Sequence, residues 1–159
     1  MIWEDLNENL ILLDLDLKSS EEVFRTIGGT LTEEGYCKDT YVQALIDREK
    51  DFPTGINMGN FGIAIPHTDR GHVIKGGVAI GQLRTPVEFY QMGSMDEEVC
   101  AKLIFMLAVD DPKSHLTFLQ RILQVVQDGN VLEKLIKAKS KNEIYEIIRE
   151  KEELLEKEK

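Results

Sequence analysis

Between residues 10 and 17 apolar and acidic positions alternate, with Leu13, Leu15 and Leu17 separated by Asp14 and Asp16. That is the period-two pattern of a strand with one buried face. Ser19 followed three positions later by Glu22 forms a capping box, and Val23, Ile27 and Leu31 then recur at helical spacing up to Gly35, which predicts a first helix. Asp39 is placed to cap a second helix carrying Val42, Leu45 and Ile46 on one face. Pro53 ends it, because proline disfavours helical backbone in the preceding residue, and Arg48 and Glu49 fall near its C-terminus.

From residue 55 to 109 glycines separate short apolar runs at 61–65, 78–83, 87–90 and 103–109, which read as strands. Asp111 and Pro112 make a strong helix start, an N-cap acceptor followed by proline at the first helical position. Leu116, Leu119, Ile122, Leu123 and Val126 form the expected buried stripe, with a stop near Gly129. A short helix is expected over 131–138. Ser140 with Glu143 opens a last helix bearing Ile144, Ile147, Ile148 and Leu154, whose charged residues 149–159 are expected to extend into solvent, helical to about Lys157. The order strand, two helices, several strands, helices predicts a mixed α/β protein, a sheet covered by helices. Without an internal repeat, linker or composition break, residues 1–159 read as one domain.

Composition narrows the function. A hydrophobic fraction of 42% over 159 residues suffices for one buried core. The net charge of −10, from 29 acidic and 19 basic residues, disfavours nucleic acid as a partner. The longest unbroken apolar run, 103–109, is far below the roughly 20 residues of a membrane span, and the N-terminus lacks the basic-then-apolar order of a signal peptide. A soluble, unexported protein is expected. Cys37 and Cys100 lie far apart and outside any CxxC pair, so reduced structural thiols are expected rather than a zinc site or a disulfide. No Walker-type loop, GxGxxG or HExxH pattern is present, so neither a nucleotide cofactor nor a metal is indicated.

The stretch Phe61-Gly62-Ile63-Ala64-Ile65-Pro66-His67-Thr68 runs a buried strand into proline and then histidine at the strand's exit, where open α/β sheets place their chemistry. A neutral imidazole offers an unprotonated nitrogen near neutral pH while its other nitrogen donates to a carbonyl or carboxylate. The same local pattern fits a histidine that only satisfies hydrogen bonds at a strand end. His115 falls in the first turn of the helix begun by Asp111 and Pro112, where free N–H groups and the helix dipole favour an anion; a boundary residue is the plainer reading. Arg48 could supply a charged fork and Thr54 a hydroxyl for phosphoryl oxygens, although an Arg-Glu pair late in a helix is commonly a solvated ion pair. His72 reads as a loop residue. Apolar residues are expected around His67, with Ile56, Met58 and Phe61 the nearest in sequence.

In order and spacing, Gln43-Ala44-Leu45-Ile46-Asp47-Arg48-Glu49, Phe52-Pro53-Thr54-Gly55-Ile56, Ile63-Ala64-Ile65-Pro66-His67 and the helix-leading His115-Leu116 resemble the fructose and mannitol type of phosphotransferase-system enzyme IIA, closest to its galactitol branch. The resemblance covers nearly the whole chain. It implies a three-layer α/β/α sandwich with a central mixed sheet, in a cytoplasmic phosphoryl carrier. It also implies phosphorylation of His67, with His115 and Arg48 lining the site. The donor it implies is the histidine-containing phosphocarrier protein, and the acceptor a cysteine of the IIB component that serves a membrane IIC component. Many members have a small residue after the active histidine, whereas Thr68-Asp69 stands here. A nitrogen-type regulatory IIA, acting by phosphorylation-dependent protein binding, would use the same His67.

Overall fold

The computed structural model describes residues 1–158. Five strands, β1 (Ile11–Leu15), β2 (Gly55–Asn57), β3 (Gly62–Ala64), β4 (Gly77–Tyr90) and β5 (Glu98–Ala108), form one sheet in the order β1-β4-β5-β3-β2. β1 runs parallel to β4 and β3 parallel to β5, while β4–β5 and β2–β3 are antiparallel, so the sheet is mixed. Strand residues alternate between two cores. Ala79, Leu83, Ile104 and Met106 face one; Val78, Ile80, Leu103, Phe105 and Leu107 face the other.

The first core is closed by α2 (Ser20–Val23), which continues through a π-helical stretch, Phe24–Gly28, into α3 (Gly29–Glu33), and by α4 (Tyr41–Asp51). The second is closed by α1 (Ile2–Asp5), α5 (Pro112–Val126), α6 (Gly129–Lys137) and α7 (Lys141–Lys157). This is the three-layer α/β/α sandwich expected. Burial on both faces explains why the central strands are continuous apolar runs.

Several local expectations need correction. Period two fails at β1 because Asp14 adopts a φ of 50° and the register against β4 shifts between Leu12 and Leu15. Leu13 therefore joins the second core while Leu15 and Leu17 pack on the first. The runs 78–83 and 87–90 are two halves of one strand, β4, interrupted by a bulge between Gln82 and Val87. β2 lies outside the expected runs, since Gly55-Ile56-Asn57 offers a single apolar side chain. The N-cap of α4 is Thr40 rather than Asp39, and its hydroxyl is engaged with His72 Nδ1 at 2.8 Å. Leu116 and Leu154 are 57% and 52% exposed, not buried; Phe118, Val125 and Leu155 take the core side of their helices. Cys37 is a core thiol that burial pushes up to about 12, but Cys100 is exposed on β5. No helix among the described residues is long and apolar enough to cross a membrane.

The charged end of α7 does not run free into solvent. Glu152 is fully buried, and its carboxylate accepts the N–H groups of Ile2 at 3.0 Å and Trp3 at 2.8 Å, donors left open at the start of α1. Arg121 of α5 lies 3.5 Å from the same carboxylate and also pairs with Glu156. Residue 159 of the expected tail lies outside the described residues.

Glu152→Ala should lower the unfolding free energy by about 2–4 kcal/mol with an unchanged urea m value, because it strands two amide donors and leaves the Arg121 guanidinium only its pairing with Glu156. A loss below about 0.5 kcal/mol, the range of an ordinary surface substitution, would show that this clasp contributes nothing.

Candidate active site

β3 leads directly into Ile65, Pro66 and His67, and the sheet holds this exit from both sides. Gly62 starts the strand pressed against β5, where a Cβ would lie 2.3 Å from Val99 Cγ1. Ile65 N–H donates to the Thr54 carbonyl at 3.0 Å, and the Pro66 carbonyl accepts Leu107 N–H at 3.0 Å. The carbonyl of Leu107 in turn accepts the buried Tyr41 hydroxyl at 2.6 Å, which fastens the start of α4 to β5.

The His67 ring is fixed by Nδ1, 2.8 Å from the Ile65 carbonyl. A carbonyl oxygen only accepts, so Nδ1 carries the proton. Burial pulls the ring's pKa from 6.5 down to about 4; His115 and Arg48 act in the same direction and the Ile65 hydrogen bond opposes them. A neutral ring with its proton on Nδ1 leaves a lone pair on Nε2, which makes Nε2 a nucleophile at neutral pH.

His115 stands beside it, its ring centroid 4.6 Å away and tilted by 48°. It occupies the first turn of α5, whose N-cap Asp111 accepts Lys113 N–H at 3.2 Å. Burial lowers its pKa, and Arg48 adds to the effect. The Arg48 guanidinium, near the C-terminal end of α4, lies 4.9 Å from the centroid of the Phe52 ring. Both Arg48 Nε and His115 Nδ1 are buried with no hydrogen-bond partner among the described residues. Unsatisfied groups of this kind are costly, and an anion bound beside His67 could satisfy an N–H on each.

Thr54 is brought to the same place in a different state from the one expected. Its side chain is buried and its hydroxyl donates to Glu49 Oε1 at 2.7 Å, while its N–H donates to Glu49 Oε2 at 2.7 Å. The hydroxyl could meet a phosphoryl oxygen only by releasing that bond. Glu49 is likewise not half of an exposed ion pair. Burial pushes its carboxyl up to about 7, against the hydrogen bonds from Thr54 and the charge of Arg48. Thr68 is buried, and His72, expected in a loop, ends a single 3-10 turn, Arg70–His72, with its ring bonded to Thr40.

Arg48, Thr54 and His67 border an open depression of about 360 Å³, with Phe52, Met92, Met95 and Leu119 as its apolar wall. Phe52, Met92 and Met95 are exposed, as is Leu116, next to His115. An apolar surround was expected, but from other residues: Ile56 and Met58 pack on the second core, and Phe61 does not line the depression. Met92 and Met95 belong to the β4–β5 turn, where Gly93 has a φ of 82° and Met92 N–H donates to the Gly55 carbonyl at 2.7 Å. The sequence signal for them was Met92-Gly93-Ser94-Met95 lying between two strand runs, a turn whose methionines have no core to enter.

Residues 4–151 match the family described as phosphoenolpyruvate-dependent sugar phosphotransferase system, EIIA 2. The galactitol-specific EIIA component of Escherichia coli (strain K12) is 34% identical over 115 residues, 72% of this chain and 76% of that one. The mannitol-specific phosphotransferase enzyme IIA component of Bacillus subtilis (strain 168) is 32% identical over 143 residues, 88% of this chain and 93% of that one. Among solved structures, enzyme IIAMTL in its complex with phosphorylated enzyme IIBMTL from Escherichia coli superimposes with a TM-score of 0.76. It is 28% identical, and the match covers 91% of this chain and 96% of that one.

The half-buried His67, with its lowered pKa, has a direct pH signature. Its ring C2–H resonance should titrate near pH 4 and stay flat across the ordinary histidine value of 6.5. Because the unfolded ring takes up a proton that the folded ring refuses, stability should be fully present above pH 6.5 and fall as pH drops from there through 4. An NMR midpoint close to 6.5 would show a solvated ring and overturn the assignment of a neutral nucleophile by burial.

Proposed function

The chain belongs to the EIIA 2 family of the phosphoenolpyruvate-dependent sugar phosphotransferase system and is a phosphoryl carrier of its mannitol and galactitol type; on that premise we propose that residues 1–159 form one domain that carries the phosphoryl group on Nε2 of His67. The observation that supports this most is the ring itself. It is neutral, its Nδ1 proton is tied to Ile65, and Nε2 remains the nitrogen able to bond phosphorus.

The donor in this reading is the histidine-containing phosphocarrier protein. The Nε2 lone pair bonds to phosphorus as the donor's P–N bond breaks, and that electron pair returns to the donor's imidazole. No proton has to leave His67, because the attacking nitrogen carries none. In the onward step a cysteine thiolate of the IIB component forms a P–S bond while the P–Nε2 pair returns to His67. The IIB partner is supported by the structural relative that is bound to phosphorylated enzyme IIBMTL. A membrane IIC component then uses the group in sugar uptake, while this chain stays in the cytoplasm.

The transferred group is already activated, so catalysis rests on alignment and on stabilising charge on the phosphoryl oxygens. Arg48 and His115 are the charge-stabilising residues, and Thr54 forms part of the wall. The relay draws on no cofactor or metal of its own. Galactitol or a related sugar is the substrate class, supported by the 34% identity to the galactitol-specific component. The exposed Phe52, Met92, Met95 and Leu116 give donor and acceptor a common apolar landing surface.

Incubation with phosphorylated carrier protein should place a single alkali-stable, acid-labile phosphohistidine on His67, read by mass mapping. His67→Ala should take up no label. His115→Ala should still be labelled but pass the group on more slowly, by on the order of a hundredfold, as for loss of one preorganised stabilising contact. Label on His115, or persisting in His67→Ala, would show that the roles are wrongly assigned. Label on His67 that no IIB protein accepts would point to the regulatory reading instead.

A further inference from the structure

Glu49 is a half-buried carboxyl group for which the transfer chemistry above has no use. Taking such a group out of water is costly, and an apolar side chain of similar size is usually no worse for stability. Both its oxygens nevertheless accept from one residue: Oε2 accepts Thr54 N–H at 2.7 Å and Oε1 accepts the Thr54 hydroxyl at 2.7 Å. Thr54 then passes the constraint on. Its carbonyl accepts Ile65 N–H at 3.0 Å, and the Ile65 carbonyl accepts the Nδ1 proton of His67 at 2.8 Å.

We propose that Glu49 is a positioning residue for phosphoryl transfer, acting through Thr54 and Ile65 to hold the His67 ring in its Nδ1–H tautomer and in line with the partner's phosphorus. The inference rests on the reading of His67 as the phosphoryl acceptor. The first two links join different parts of the chain, the end of α4 to the loop before β2 and that loop to the exit of β3, and the third lies within that exit. Rotation of the Ile65 peptide would turn the accepting carbonyl away from the ring. With that acceptor gone the proton is free to move to Nε2, the nitrogen that must be bare. Thr54 is 2% exposed and Glu49 is half-buried, so water has limited access to these bonds. Glu49 and Arg48, adjacent in sequence, thus divide the work: the arginine meets the phosphoryl charge and the glutamate sets the geometry of the acceptor.

The test compares Glu49→Ala, Glu49→Gln and Thr54→Val with the unaltered chain in two measurements. The first is ¹⁵N–¹H NMR of the His67 ring, which reads the tautomer without any phosphorylation. The second is the rate of transfer from phosphorylated carrier protein to His67, resolved into kcat and KM for the donor. Glu49→Ala should convert a single Nδ1–H tautomer into a mixture and lower kcat by on the order of tenfold to a hundredfold, as for a displaced acceptor, with KM unchanged. Glu49→Gln keeps an oxygen for Thr54 N–H and should recover most of the rate and the single tautomer. If Glu49→Ala does not fold, Thr54→Val decides: it removes the hydroxyl bond alone, and a slower kcat with some tautomer mixing is expected. A folded Glu49→Ala, or failing that Thr54→Val, with the wild-type tautomer and kcat overturns the proposal. An equal loss in KM, which a loosened docking surface would give, overturns it too. A tautomer shift in a protein whose His67 takes up no label would instead sustain the positioning role and remove the phosphoryl-acceptor reading.

Discussion

One hydrogen bond decides what the site can be: the donation from His67 Nδ1 to the carbonyl of Ile65. An imidazole has two nitrogens and, when neutral, one proton; wherever that proton sits, the opposite nitrogen is the reactive one. The bond is made to backbone, so its direction is set by the sheet. The Ile65 carbonyl is aimed by the pairing of Ile65 N–H with Thr54 and of the Pro66 carbonyl with Leu107, and Pro66 itself limits the backbone's freedom between them. The burial that keeps the ring neutral follows from the same arrangement, because the exit of β3 lies against the first turn of α5.

The sandwich brings three chain ends to one spot. The C-terminal end of α4 supplies Arg48 and Glu49, the N-terminal turn of α5 supplies His115, and β3 supplies His67. On a chain of net charge −10 this spot gathers a guanidinium and two imidazoles, N–H donors that suit an anionic group. Around it lie exposed apolar side chains from two further places, Phe52 after α4 and the methionines of the β4–β5 turn.

Much of this was legible in the chain. Helices that open with a side-chain acceptor and carry an apolar stripe were placed well, since capping and helical spacing are local properties; Asp111 and Ser140 cap where expected. Arg48, Thr54 and His67 border one depression, while His115 touches it through the His67 ring and itself lines a neighbouring cleft. What escaped was decided by partners distant in sequence. Leu116 looks like a core residue by spacing, but it is exposed, while Phe118 and Leu119 pack on the second core. Glu152 looks like a solvent residue in a charged tail, yet it lies beneath the amides of Ile2 and Trp3. The residue pair Arg48-Glu49 reads as an ion pair until the fold brings Thr54 over the carboxylate. β2 is held by its pairing with β3 rather than by its own composition.

In the proposed relay, the depressed basicity of His67 bears on the step in which phosphorus leaves as much as on the step in which it arrives. A nitrogen that holds a proton weakly also holds a phosphoryl group weakly, so a ring drawn to a pKa of about 4 by burial is a better leaving group than a solvated histidine. Left alone, such a ring would load poorly. Arg48 and His115, acting on the phosphoryl oxygens rather than on the nitrogen, can restore the stability of the loaded form without strengthening the P–N bond itself. In that reading burial of the ring and the N–H donors of Arg48 and His115 act on the transfer potential of the carrier from opposite sides.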